Sequence, residues 1–246
     1  MSIYLFLSKL FRMEFPKVLV CSPTYRGKDY CFDGWSENVN NFTYPNMEVM
    51  LVDNSEDRRY LDRIRSKGFT ALYVEDKGKG IIPKTTEAHE RCRDYAIKNN
   101  FEYILHLETD IFPPIDIIER LLNHGKGVVG AMYDIYMGKK RGLMLQQNEP
   151  LHRFVRAYRT VKMAEESEPI ICDGTVKQIY HIGLGCLLIK RNVFEMIPFR
   201  FIKDTNIHAD TWFANDCFAN NIPIFVDTLI NCKHENQSWA NKELFT

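Results

Sequence analysis

Tyr103-Ile-Leu-His-Leu107 runs without interruption into Glu108-Thr109-Asp110. A short, mostly apolar run with no polar alternation reads as a strand buried on both faces. Such strands belong to parallel sheets sandwiched between helices. Alternate residues of a strand share a face, so Glu108 and Asp110 can point into one crevice. Two like charges that close are costly unless a cation stands near them. Oxygen ligands of this kind suit Mg²⁺ or Mn²⁺ bridging a diphosphate. The structural alternative is an acidic cap on the helix that Pro113 and Pro114 open.

Working outward, the same β-then-α pattern repeats. Lys17–Thr24 and Glu48–Ser55 read as buried strands that end in polar residues, and Thr70–Glu75 as a third. Helices are expected over Asp29–Asn41 and over Asp57–Lys67, the latter stopped by Gly68. Lys77–Gly80 reads as a loop, Thr85–Asn99 as a helix, Pro113–Leu122 as another, and Gly127–Met132 as a fifth strand. Tyr133–Ile179 reads as irregular. A strand resumes over Tyr180–Ile189, with a short helix around Val193. A helix over Asp210–Asn220 and a strand over Ile222–Val226 complete the series. The expected fold is α/β: one Rossmann-like domain with a mainly parallel central sheet and helices on both faces. In such sheets the polar residues just past the strand C-termini line the binding crevice, here Thr24, Asp53 and the Glu108–Asp110 triplet.

Composition narrows the partners. The 246 residues carry 32 Lys and Arg against 32 Asp and Glu, so no global field draws the chain to nucleic acid or membrane. The seven cysteines are odd in number and lack a CxxC pair, which fits reduced thiols in a cytoplasmic protein better than a disulfide framework or a structural zinc site. Residues 1–15 read as an N-terminal extension: an amphipathic helix packing on the domain, a non-native segment with Met13 as the true start, or a membrane-surface anchor. Their apolar run is too short for a transmembrane segment and lacks the flanks of a signal peptide. The domain proper is expected over 16–235, with a polar tail over 236–246.

These strands and helices, in this order, resemble the family-2 glycosyltransferases of the GT-A fold. Lys17–Thr24 is similar to their first strand, which meets the nucleotide, so Pro23 and Thr24 are implied in donor binding. Glu48–Ser55 resembles their second strand, whose acid contacts the nucleobase, and Asp53 occupies that place. Glu102–Ile111 resembles the strand ending in their Asp-x-Asp motif, which implies Glu108 and Thr109 at the donor and Asp110 on the metal. Gly183-Leu-Gly-Cys-Leu-Leu-Ile-Lys-Arg191 is similar to their acceptor-side strand, with Gly183 and Gly185. Asp210-Thr-Trp-Phe213 resembles the motif whose Asp is the catalytic base. Phe225-Val-Asp227 and His234 resemble the closing strand and a late metal-binding His. The match runs over about 17–235 with a gap near 134–179. Glu108 replaces the first Asp of the metal motif, Ala209 the first acid of the later one, and Asn221 a usual Gly. The Gln-x-x-Arg-Trp motif of processive synthases is missing, which implies one sugar per event.

The resemblance implies transfer of a sugar from a nucleotide-diphosphate sugar, UDP by default, with Mn²⁺ or Mg²⁺ held by Asp110 and His234. A carboxylate base within reach of the acceptor hydroxyl, Asp210, implies inversion at the anomeric carbon. Each role has a structural alternative: Asp210 as a helix cap, Asp216 as the base instead, His234 as a surface His, and Asp53 as a turn former with Asn54 and Ser55. Lys79, Lys84 and Arg91 are diphosphate candidates or solvated charge. Trp212 and Trp239 are sugar-stacking candidates or, for Trp212, core. The 139–162 segment carries Lys139, Lys140, Arg141, Arg153, Arg156, Arg159 and Lys162. It is either a site for an anionic acceptor (nucleic acid, lipid phosphate or acidic glycan) or a solvated face balanced by Glu165, Glu166 and Glu168. Two rival functions stand: a nucleotidyltransferase, for which Ser22–Lys28 has only one Gly in its phosphate loop, and a non-catalytic binding module.

Overall fold

A computed structural model of the chain describes residues 15–235 apart from 76, 77, 79, 138, 139, 144, 147–172, 204 and 206, and leaves the side chains of 135–146 undescribed. Four strands open the fold: β1 (Val18–Thr24), β2 (Met47–Asp53), β3 (Thr70–Tyr73) and β4 (Tyr103–Leu107). They lie side by side in the order β3-β2-β1-β4, all parallel. Helices α1 (Asp29–Asn40), α2 (Arg59–Arg65) and α3 (Ile81–Lys98) carry the crossovers between them.

Strand alternation then sorts the core into two layers. Val18 and Val20 face Phe32, Trp35 and Val39 of α1 and Ile64 of α2 on one side of the sheet. Leu19 and Cys21 face Ala88, Cys92 and Ala96 of α3 on the other. Burial on both faces is why these strands show no polar alternation. The expected α/β fold with both faces covered is therefore present.

The second half of the sheet is mixed. The strands β5 (Ile111–Phe112), β6 (Val128–Met137), β11 (Cys186–Lys190) and β12 (Ile224–His234) complete the path β4-β11-β6-β12-β5. Between them in sequence come β7 (Lys140–Leu143), β8 (Leu145–Gln146), β9 (Val176–Ile179) and β10 (His181–Ile182). β11 runs antiparallel to both of its neighbours, β6 and β12 are parallel, and β5 returns antiparallel along the end of β12. Helices α4 (Ile117–Asn123), α5 (Arg191–Met196) and α6 (Ala209–Ala219) cover this half. α4 lies on the α1 side, and α5 and α6 on the α3 side.

Several sequence expectations shift. α3 starts at Ile81 rather than Thr85, because Pro83 falls in the first turn, where its missing N–H has no intrahelical acceptor to serve. Gly80 precedes it at φ 78, a left-handed conformation that suits glycine. The Pro113–Pro114 pair does not open α4, which begins at Ile117; the two residues after Asp110 are drawn into β5 by pairing with β12. β6 continues past Met132 into the stretch expected to be irregular. The run Tyr180–Ile189 is two strands, broken at Leu184–Gly185. β12 is far longer than Ile222–Val226 and carries a register shift between Asp227 and Asn231, the mark of a bulge. The described cysteines are free, buried thiols. Among the described residues no helix is long and apolar enough to cross a membrane. Residues 1–14, the tail from 236, Cys172, and Arg153, Arg156, Arg159 and Lys162 of the basic segment lie outside the described residues.

Leu105 sits fully buried in the middle of β4, against the α1 side. Replacing it with alanine is expected to lower unfolding free energy by about 2–5 kcal/mol. Urea denaturation would read this as a lower midpoint at an unchanged slope.

Candidate active site

The C-terminal ends of β1, β2 and β4 meet at one edge of the sheet, and the polar residues expected there converge. Asp110, just past β4, is fully buried. Its Oδ1 accepts a hydrogen bond from Lys28 Nζ at 2.8 Å, and the same ammonium donates to Glu108 Oε2 at 2.7 Å. The cation that two adjacent carboxylates require is thus supplied by the chain itself. Lys28 ends the 3₁₀ turn Arg26–Lys28 after β1, and its N–H is held by the Tyr25 carbonyl at 2.9 Å. Burial alone would push the Lys28 pKa down; the two carboxylates reverse that and raise it well above the ordinary lysine value.

The other oxygen of Asp110 faces His234. Antiparallel pairing of β5 with β12 sets Ile111 opposite His234, and the Glu235 N–H reaches the Asp110 carbonyl at 2.8 Å. His234 Nε2 comes within 3.5 Å of Asp110 Oδ2, and the imidazole is 6% exposed. His234 Nδ1 lies 2.5 Å from the Asp134 carbonyl oxygen. A carbonyl can only accept, so Nδ1 carries a proton, and this leaves Nε2 turned to the Asp110 carboxylate. Asp110 Oδ2 and His234 Nε2 are both buried and without a hydrogen-bond partner among the described residues. Burial pushes the Asp110 carboxyl up, but Lys28 and His234 outweigh it and hold the group down at about 2. For His234, burial lowers the pKa and Asp110 more than restores it, leaving the imidazole above its usual value.

A carboxylate oxygen and an imidazole nitrogen left without a hydrogen bond, each group oriented through its other atom, are how a protein prepares ligands for a metal, the imidazole giving up any Nε2 proton as the metal binds. Asp110 and His234 fit Mn²⁺ or Mg²⁺ in that sense. No group of three metal-ligating side chains occurs among the described residues, so further ligands would come from substrate oxygens and water, as Mg²⁺ commonly accepts.

The remaining donor-side residues divide. Thr24 and Thr109 are buried and bonded hydroxyl to hydroxyl at 2.9 Å, tying the end of β1 to the acidic loop. Pro23 is buried within β1. Asp53 takes the structural role and leaves room for another: Oδ1 accepts the Ser55 N–H at 2.9 Å, as in an Asx turn, while Oδ2 is buried and unpartnered among the described residues. Burial raises its pKa. Arg91 pairs with Glu87 at 3.0 Å and lies ten residues into α3, about 15 Å along the helix from its start. Its expected diphosphate contact rested on a helix beginning later. Lys79 and Trp239 lie outside the described residues.

On the acceptor side, Asp210 stands in the first turn of α6, where a carboxylate is favoured by the helix dipole. It is not the cap: His208 holds that place, without a side-chain cap bond. Asp210 Oδ1 accepts the Thr211 N–H at 2.7 Å, and Oδ2 lies 3.7 Å from Nε2 of His181. His181 is buried with neither ring nitrogen partnered among the described residues. Asp216 has both carboxylate oxygens engaged by Arg200, through bonds of 2.6 and 2.8 Å. Trp212 is 4% exposed, with the Arg200 guanidinium 4.5 Å from its ring centre, so it packs and offers no open face to a sugar. Gly183 is buried in the same turn. Gly185 touches Tyr133: a Cβ there would fall 2.5 Å from the ring. The Gly185 N–H donates to Tyr133 Oη at 3.1 Å, and its carbonyl accepts the Glu108 N–H at 3.0 Å. Burial and the charges of Glu108 and Asp210 push the Tyr133 phenol well above its ordinary pKa, so both acids bear on one centre.

The fold is similar to that of known structures. TarS of S. aureus superposes with a TM-score of 0.56 at 13% identity, over 91% of this chain and 38% of TarS. A mycobacterial protein gives 0.55 at 14% identity over 90% of this chain and 68% of that one. The 1–349 portion of TarS gives 0.53 at 13% identity over 87% and 60%. The fold is GT-A-like. This chain spans little more than a third of full-length TarS, and at these identities the likeness is one of fold alone. No protein-family model and no curated protein matches the sequence.

Lys28, Tyr133 and His181 were missed by sequence reasoning. Lys28 was visible only as one of two basic residues, with Arg26, in the loop after β1; Tyr133 and His181 carried no local signal.

A carboxylate with a depressed folded-state pKa contributes stability in full above its unfolded value of about 4 and loses it as the pH falls through the folded value. Asp110→Asn is therefore expected to be less stable than wild type at neutral pH by about 3–5 kcal/mol, as when a buried ion pair loses one partner. The gap should narrow, without closing, as the pH falls from about 4 towards 2, measured by denaturant titration at each pH.

Proposed function

We propose that the protein is a glycosyltransferase that moves one sugar from a nucleotide-diphosphate sugar, UDP-linked by preference, to an acceptor hydroxyl. The observation that carries this is the pair of buried, unpartnered atoms Asp110 Oδ2 and His234 Nε2, 3.5 Å apart at the C-terminal edge of a GT-A-like sheet. TarS, which shares the fold, is a GT-A-like glycosyltransferase.

In this reading Asp53 reads the nucleobase through its free Oδ2, and Asp110 with His234 holds Mn²⁺ or Mg²⁺. When bound, the metal neutralises the departing diphosphate. Asp210 accepts the proton of the acceptor hydroxyl. That oxygen bonds to the anomeric carbon as the bond from carbon to the diphosphate oxygen breaks, and the electron pair leaves with the nucleoside diphosphate. Attack opposite the leaving group inverts the centre. Tyr133 and Gly185 link the metal side to the base side by backing Glu108 against the turn before β11.

Calorimetry with UDP and Mn²⁺ is expected to give metal-dependent binding that Asp110→Ala abolishes. Absence of binding for every nucleotide diphosphate tested on folded protein would turn the reading to a non-catalytic module. With a donor and acceptor in hand, Asp210→Asn should lower kcat by about 10²–10⁴ while donor affinity holds, since only the proton acceptor is lost. Unchanged kcat would remove Asp210 from the role of base.

A further inference from the structure

We propose that Lys28 is a fixed counter-cation that keeps divalent metal off Asp110 until a nucleoside diphosphate arrives, so that metal and nucleotide load together. The proposal rests on the glycosyl-transfer reading above and adds a positioning residue to it.

The ammonium is held on both sides, 2.7 Å from Glu108 Oε2 and 2.8 Å from Asp110 Oδ1. Its side chain is 8% exposed, and the residue sits between a 3₁₀ turn and the start of α1. The backbone on either side is thus in regular structure, and the ammonium has little room to swing into solvent.

One ammonium and two carboxylates leave a single negative charge on the three groups. A dication entering this site alone meets a buried positive charge a few ångströms away, where solvent screens little. Each carboxylate already has one oxygen bound to Lys28, which lowers what it gains from a dication. A diphosphate adds at least two negative charges and restores the need for a dication. Lys28 also holds Oδ1 of Asp110 so that Oδ2 turns to His234. Losing that orientation alone would weaken metal binding about ten- to a hundredfold. Removing the ammonium, however, takes away its repulsion of the dication and leaves two adjacent carboxylates with no counter-charge, which favours a metal more strongly than the lost orientation disfavours it.

The test is Mn²⁺ binding to the full chain, read from loss of the free-ion paramagnetic resonance signal, with and without UDP. Wild type is expected to bind Mn²⁺ about tenfold or more tightly with UDP than without. Lys28→Met should bind Mn²⁺ alone at least about tenfold more tightly than wild type and lose most of the UDP dependence, while Lys28→Arg, which keeps the charge, should behave as wild type. Folded Lys28→Met whose nucleotide-free affinity equals or falls below that of wild type overturns the proposal. If wild type then still binds Mn²⁺ with UDP, the glycosyl-transfer reading survives; if wild type binds no Mn²⁺ in either condition, the metal site falls with it. Should Lys28→Met not fold, the comparison is Lys28→Met/Glu108→Gln against Glu108→Gln, where the double variant must bind Mn²⁺ alone more tightly for the proposal to stand.

Discussion

Two carboxylates at the end of a buried strand cannot stand uncompensated, and much of the crevice is arranged around that constraint. Glu108 and Asp110 come directly after β4, Asp110 fully buried and Glu108 partly open to solvent. Lys28 answers the charge from the loop after β1, and His234 answers the remaining oxygen from the end of β12. The hydroxyl pair Thr24–Thr109 and the backbone bond from Glu108 to Gly185 hold the loop between them in place. Lose the compensation and the strand end would have to open to solvent.

Antiparallel pairing is what makes the compensation possible. β11 runs back along β4, so the turn before it, with Gly185, lies against Glu108 rather than at the far edge of the sheet. β12 runs on beyond β6 and is caught by β5, which aligns His234 with the residue after Asp110. The bulge in β12 shifts its register between these two tasks. A strictly parallel sheet would leave β11's leading turn and the crevice at opposite ends of the strands. The same arrangement sets Tyr133 of β6 against both Gly185 and the His234 ring.

Much of this architecture was legible residue by residue. The first four strands and their helices arise from short apolar runs broken by Gly, Pro and polar clusters, because burial on both faces leaves a local composition signature. Asp53, Glu108 and Asp110 stand out because they lie at strand ends, where a sheet of this class lines its crevice, whereas Asp210 and His234 were marked only by the family resemblance. The errors fall where pairing overrides local preference. Pro113 and Pro114 read as a helix start, yet the two residues before them were claimed by β12. Ile222–Val226 read as a short strand, because the polar residues beyond it are tolerated only once β6, β9 and β5 supply hydrogen-bond partners. Trp212 read as either a sugar platform or core, and the packing of α6 with Arg200 above the ring decides for core.

By itself the sequence determined the alternating α/β pattern, the two-layered core and the acidic strand end, since each is written in residues near one another along the chain. Only the tertiary structure decided what neutralises that acidic end. Lys28 is 82 residues before Asp110 and His234 is 124 after it. Nothing local marks either as its partner, because a buried charge selects its counter-charge by distance in space, and that distance is set by strand order and register rather than by separation along the chain.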